Sequence, residues 1–212
     1  MRRIVLHYFD MYARAETSRM ILNYVGAPFL DLRYDMNTEW PDAKNDEKFE
    51  MGKLPCLEID GKILIQSGSI ERFLCREFGL YPKDNYSIYL TESLRDIKED
   101  FFNNRLKYLM VLKDRAGWDK WSEEELPKML KAIEKRFIAN GNKNFFVGSS
   151  PTLGDFAIFF MVHDFMIRKK APKRMSEILI SSAPKLIDFA ENFKNTSPLF
   201  LDYMENREDL PF

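Results

Sequence analysis

The chain has 212 residues, 45% of them hydrophobic and 31% charged, with a net charge of −1 at neutral pH. These are ordinary values for a folded globular protein, and they exclude a global field that would draw nucleic acid or an anionic membrane. No apolar run approaches the roughly 20 residues that span a bilayer, and Cys56 and Cys75, with His7 and His163, make neither a disulfide framework nor a metal site with ligand-like spacing. The opening apolar run breaks at Asp10, too soon for a signal peptide. The expected compartment is the reducing cytosol.

Arg3 to Phe9 reads as a short buried strand. Arg14 to Val25 then sets Ser18, Ile21, Leu22 and Val25 at helical spacing, and Gly26-Ala27-Pro28 ends that helix. Phe29 to Tyr34 alternates apolar with polar, as a half-buried strand does. Trp40 to Phe49 is polar and irregular. Residues 55–59 and 62–65 are short apolar runs flanking Asp60-Gly61, a strong hairpin signal because the primed turn needs positive φ. Ser69 to Phe78 carries Ile70, Phe73, Leu74 and Phe78 as a helical stripe ending at Gly79. The order β-α-β, polar loop, β-β-α predicts a thioredoxin-like α/β domain over residues 1–80.

Residues 81–86 read as a linker. Beyond them, over 87–212, every periodic segment is helical. Four apolar faces stand out: Leu90, Leu94, Ile97 and Phe101; Leu126, Leu130, Ile133 and Phe137; Phe156, Phe159, Phe160, His163 and Ile167; and Leu186, Phe189 and Phe193. The predicted architecture is therefore α/β plus all-α, with a helical bundle as the second domain. Thr152-Leu153-Gly154-Asp155 reads as a capping box serving stability. The cluster Arg168, Lys169, Lys170, Lys173 and Arg174 lies at a helix end, where cations complement the C-terminal dipole.

Three local signals converge in the first half: Tyr8-Phe9-Asp10-Met11-Tyr12-Ala13-Arg14-Ala15-Glu16, Gly52-Lys53-Leu54-Pro55, and Gln66-Ser67-Gly68-Ser69-Ile70. Read singly, Gln66-Ser67 suits a helix cap, Pro55 a strand edge, and Lys44 and Lys53 solvated charges. Together, in this order and spacing, the three resemble the glutathione transferases. The Tyr-Phe-x-Met-x-x-Arg-Ala-Glu run and Trp40-Pro41-x-x-Lys44 look most like the sigma class. The resemblance spans essentially the whole chain and is strongest in the first domain.

What the resemblance implies is a glutathione-binding enzyme in which Tyr8, helped by Arg14, activates the thiol. Gln66-Ser67 is expected to hold the γ-glutamyl carboxylate at a helix N-terminus. A cis bond before Pro55 exposes the backbone of Leu54 to the cysteinyl part. Arg14, Trp40, Lys44 and Lys53 fall near the glycyl carboxylate and the thiol. Asp96, Glu99 and Asp100 share a helix face, and Asp100 matches an acidic residue that reaches glutathione across the interface of a homodimer. Some members of the family hold a divalent cation between such carboxylates at the interface; with Lys98 close by in sequence, no metal is expected here. Met11, Ala13, Arg14 and Phe102 are candidates to line a pocket for an apolar electrophile. Ala13 is a departure, because many relatives carry glycine there.

The implied reaction adds the glutathione thiolate to apolar electrophilic small molecules. Two alternatives stay open: a glutathione-dependent prostaglandin isomerase, and a non-catalytic relative such as a lens crystallin or a glutathione carrier. Thiol–disulfide exchange is not expected, since Asp10 to Ala13 lack the cysteine such an enzyme carries at the start of its first helix.

Overall fold

Strand β1 (Ile4–Phe9) is buried along nearly its whole length, as its apolar run requires of an interior strand. The computed structural model describes residues 2–141 and 143–210. After β1 the chain makes a single 3₁₀ turn at Ala13–Ala15 and enters helix α1 (Glu16–Tyr24). It returns as β2 (Leu30–Tyr34), parallel to β1 with Tyr8 opposite Arg33. Within the segment expected to be irregular lies a short helix α2 (Trp40–Ala43), whose early Pro41 suits a first helical turn. Strands β3 (Cys56–Ile59) and β4 (Lys62–Ile65) form the expected hairpin. Asp60 and Gly61 both take positive φ, 49° and 80°, as a primed turn demands. Helix α3 (Ser67–Glu77) follows. The sheet order is β2-β1-β3-β4, with β1 antiparallel to β3. The thioredoxin-like expectation is borne out.

The helical part comprises α4 (Asn85–Leu106), α5 (Arg115–Glu124), α6 (Leu126–Asn140), α7 (Leu153–Phe159), α8 (Lys173–Ser182) and α9 (Lys185–Lys194). Asp84 caps α4 by accepting from the Ser87 amide at 2.9 Å. The expected linker therefore yields its last three residues to the cap and first turn. The faces of α6 and α9 are buried as their spacing requires. The third face is buried at Phe156, Phe159 and Phe160 but not at its far end. Phe160–Ile167 winds as π-helix, so 3.6-residue spacing no longer holds, and Ile167 is exposed. Thr152 and Asp155 form the box at the start of α7. The Asp155 carboxylate accepts from the Thr152 amide and hydroxyl at 2.7 and 2.8 Å and from the Phe146 amide at 2.7 Å. Burial pushes its carboxyl up to about 7 against the pull of those donors. The basic cluster is corrected in part. Lys173 and Arg174 open α8 rather than close a helix, because Pro172 starts a new one, and Arg174 pairs with Asp119 and Glu123.

The compact units divide after Gly79, and residues from Ser197 onward group with the first unit, not with Leu80–Thr196. The last helix, α10 (Pro198–Asn206), belongs to that segment and packs with the first unit. Two features tie it to the first unit. Gly26, at φ 64°, would bring any Cβ within 2.7 Å of Leu199, and the buried carboxylate of Glu16 accepts from the Tyr203 hydroxyl at 2.7 Å. Among the described residues no helix is long and apolar enough to cross a membrane.

Candidate active site

Strand β1 delivers Tyr8 near its C-terminal end, with only 5% of its surface exposed. The loop that follows folds back on it, and the Arg14 amide donates to the Tyr8 hydroxyl at 3.2 Å. That return needs Ala13 at φ 31°, in the left-handed region where a Cβ is costly. The position where glycine was expected from the resemblance is therefore one whose backbone asks for glycine.

On the hairpin side the Leu54–Pro55 bond is cis, and Gln66 at φ 72° turns the chain from β4 into α3. Arg14, Lys53, Leu54, Pro55, Gln66 and Ser67 line one cavity of about 280 Å³. Sequence reasoning missed two further lining residues, Met51 and Ile65. Each adjoins a motif, but carries no chemical signature of its own. The first-turn amides of α3 have no partner within the helix, so its N-terminus offers donors and a positive dipole end to an anion. Arg14 and Lys53 add two cationic side chains. The arrangement suits an extended peptide bearing carboxylates.

The remaining expected residues lie elsewhere. Trp40 is buried with Phe49 and Cys56 in an aromatic cluster against which Leu54 packs. It supports the cavity wall without lining it. Lys44 closes α2, its amide donating to the Trp40 carbonyl at 3.0 Å; its side chain is exposed and does not line the cavity. Met11 is half-buried and Ala13 buried in the loop after β1. Phe102 belongs to the second unit, buried with its ring 6.2 Å from Phe165. Asp100 is exposed on α4. The acidic trio is not uniform there, because Arg95 approaches Asp96 at 3.5 Å and Glu99 at 3.1 Å.

Two polar networks escaped the sequence reading. In the first, His7 points away from Tyr8, as strand alternation requires. Its Nε2 lies 2.9 Å from Glu58 and its Nδ1 2.8 Å from the Tyr34 hydroxyl. A carboxylate only accepts, so Nε2 carries the proton and Nδ1 accepts from Tyr34. Burial lowers the imidazole pKa, with Glu58 opposing. In the second, Arg19 is 1% exposed. It donates to the Met11 carbonyl at 2.8 Å and to Asp31 at 3.0 Å. It also meets Glu16, which in turn accepts from Arg207 at 2.5 Å. Glu16 and Arg19 stand three apart on one helix, but no spacing rule links either to Arg207. Cys56 and Cys75 are both buried, and burial pushes the Cys56 thiol up to about 11, consistent with small core residues and not redox nucleophiles.

Comparison with known proteins agrees with this geometry. Residues 4–76 match the model described as "Glutathione S-transferase, N-terminal domain", and residues 95–207 match "Glutathione S-transferase, C-terminal domain". The chain is 31% identical to Probable glutathione S-transferase 6 of Caenorhabditis elegans, over 98% of both chains. Among solved structures, a major nematode-specific transferase of C. elegans superposes with a TM-score of 0.84 at 29% identity, covering 100% of both chains. The sigma class transferase of Fasciola hepatica does so with a TM-score of 0.84 at 25% identity, covering 100% of this chain and 99% of that one. The chain belongs to the glutathione S-transferase family.

Proposed function

We propose that this chain conjugates glutathione to apolar electrophilic small molecules, with Tyr8 as the group that activates the thiol. The observation that carries the reading is the Tyr8 hydroxyl, anchored by the Arg14 amide, while Arg14 also lines the cavity that ends at Gln66-Ser67. An amide proton donated into the phenolic oxygen strengthens the O–H of that phenol as a donor in turn. The O–H then hydrogen-bonds the sulfur and favours its anionic form. The thiol proton leaves to solvent. The sulfur lone pair forms a bond to the electrophilic carbon, and either a leaving group departs with its electron pair or water protonates the resulting carbanion. The γ-glutamyl carboxylate takes the amides at the start of α3 and the Ser67 hydroxyl, and Leu54 pairs with the cysteinyl backbone. Met11, Ala13 and Phe102 are proposed to contact the acceptor, Lys44 and Lys53 the glycyl carboxylate, and Trp40 to hold that wall.

The protein is proposed to work in the cytoplasm as a homodimer, the partner subunit's Asp100 reaching the glutathione ammonium. The decisive experiment is a purified-protein assay with glutathione and a panel of aryl halides, enones, organic hydroperoxides and a prostaglandin endoperoxide, run beside sedimentation. Turnover of halides or enones by a dimer is the expected result. Glutathione binding without turnover of any member overturns the enzymatic reading. A monomer with undiminished glutathione affinity in Asp100→Asn overturns the role of Asp100.

A further inference from the structure

The loop between β1 and α1 is held from the far end of the chain. Tyr12 donates its hydroxyl to the Glu208 carbonyl, and the Arg207 guanidinium lies 4.4 Å from the centre of the Tyr12 ring. The same Arg207 donates to Glu16 at 2.5 Å. Glu16 is fully buried and its other oxygen faces Arg19 at 3.3 Å. Arg19 in turn takes the carbonyls of Met11 and Tyr12 at 2.8 and 3.4 Å. Residues on both sides of Ala13 are therefore pinned by the segment that follows α10.

Pinning matters because Ala13 sits at φ 31°. A non-glycine residue keeps such a conformation only where its surroundings over-determine it. The next residue is Arg14, whose amide reaches the Tyr8 hydroxyl. If the clamp on residues 11, 12 and 16 is loosened, the strain at Ala13 relaxes by rotating the peptide that follows, which carries that amide. The phenol then loses an aligned donor, although neither Tyr8 nor the residues lining the cavity have changed.

We propose that Arg207 and Tyr12 are positioning residues for thiol activation: the C-terminal arm holds the strained loop that aims the Arg14 amide at Tyr8. The inference rests on Tyr8 being the activating group. It separates two functions that one loop would otherwise confuse, because the arm governs the ionisation of the bound thiol and not the binding of the tripeptide at Pro55 and Gln66-Ser67.

The test follows the ultraviolet thiolate band of bound glutathione against pH in the full-length protein, with affinity for S-methylglutathione, which has no thiol to ionise, as the binding control. In Arg207→Met the bound thiol titrates at higher pH than in the parent and kcat at mildly acid pH falls about threefold to tenfold, the proportion expected when the thiolate fraction falls. S-methylglutathione affinity stays within about twofold, and Arg207→Lys, which restores a cation to Glu16, recovers most of the loss. Tyr12→Phe removes one hydroxyl only and shifts the titration in the same direction; it decides the matter by itself if Arg207→Met does not fold. Titration coincident with the parent in the folded variants overturns the proposal, as does loss of S-methylglutathione binding in parallel with kcat. Tyr8→Phe separates the two readings: if its titration matches the parent, Tyr8 is not the activating group, and the arm positions nothing for it.

Discussion

The main-chain amide of Arg14 donates to the phenolic oxygen of Tyr8 at 3.2 Å. That contact fixes the oxygen of a nearly buried side chain and joins the end of β1 to a cavity wall supplied by Arg14 itself.

Tyr8→Phe keeps the ring and deletes the donor. Glutathione affinity is expected to change by no more than about twofold, the bound thiol to titrate at higher pH, and kcat to fall at least about tenfold, equivalent to roughly 1.4 kcal/mol of transition-state stabilisation. Steady-state kinetics with a saturating electrophile reads the result. An unchanged kcat places the activating group elsewhere.

At the other end of the cavity, Ser67 is buried at the first position of α3. Ser67→Ala removes a hydroxyl but leaves the helix amides. A charge-assisted hydrogen bond is worth about 1.5–3 kcal/mol, so the glutathione Kd should rise about tenfold or more with little change in kcat at saturation. Calorimetric titration checks it, and equal affinity in the variant means that the carboxylate binds elsewhere.

Ala13 occupies a backbone conformation at φ 31° that glycine adopts without a Cβ penalty. Ala13→Gly should stabilise the protein by about 0.5–1 kcal/mol, the left-handed penalty of alanine less the extra entropy of an unfolded glycine. A denaturant midpoint at or below that of the parent would show that the strain is not there to relieve.

Asp155 collects three donors, from Phe146 and Thr152. Asp155→Asn brings an amide N–H₂ against them and strands at least one, at a cost of about 2–4 kcal/mol. Thr152→Ala should cost about 1 kcal/mol as a lost cap. Both variants should keep parental turnover per folded molecule. A fall in turnover at unchanged melting temperature contradicts the structural role.

His7 supplies a pH dependence whose sign is fixed by burial. Its pKa lies below the ordinary 6.5, so below about pH 6.5 the unfolded chain binds a proton that the folded one resists. The contribution to stability is full above that pH and is lost as the pH falls through the folded-state value. Melting temperatures recorded from weakly alkaline to mildly acid pH should decline less steeply in His7→Gln than in the parent. Parallel curves exclude His7 as the source.

Sequence alone determined the elements whose burial repeats locally. The runs around β1 and β3, the Asp60-Gly61 turn and the stripes of α6 and α9 were legible because period-2 and period-3.6 patterns record which face leaves water. Apart from Met51 and Ile65, the residues of the cavity were legible as motifs, since Gly52 to Pro55 and Gln66-Ser67 are contiguous stretches with distinctive chemistry. Tertiary structure decided what no spacing encodes. The π-helical winding after Phe159 broke the expected face, because its hydrogen-bond register is not written in hydrophobic periodicity. Trp40, polar-flanked in sequence, was drawn into an aromatic cluster. The pairing of Glu16 with Tyr203 and Arg207 assigned the last helix to the first unit. Buried charges must find partners wherever the fold brings them, and for Glu16 that partner stands 191 residues along the chain.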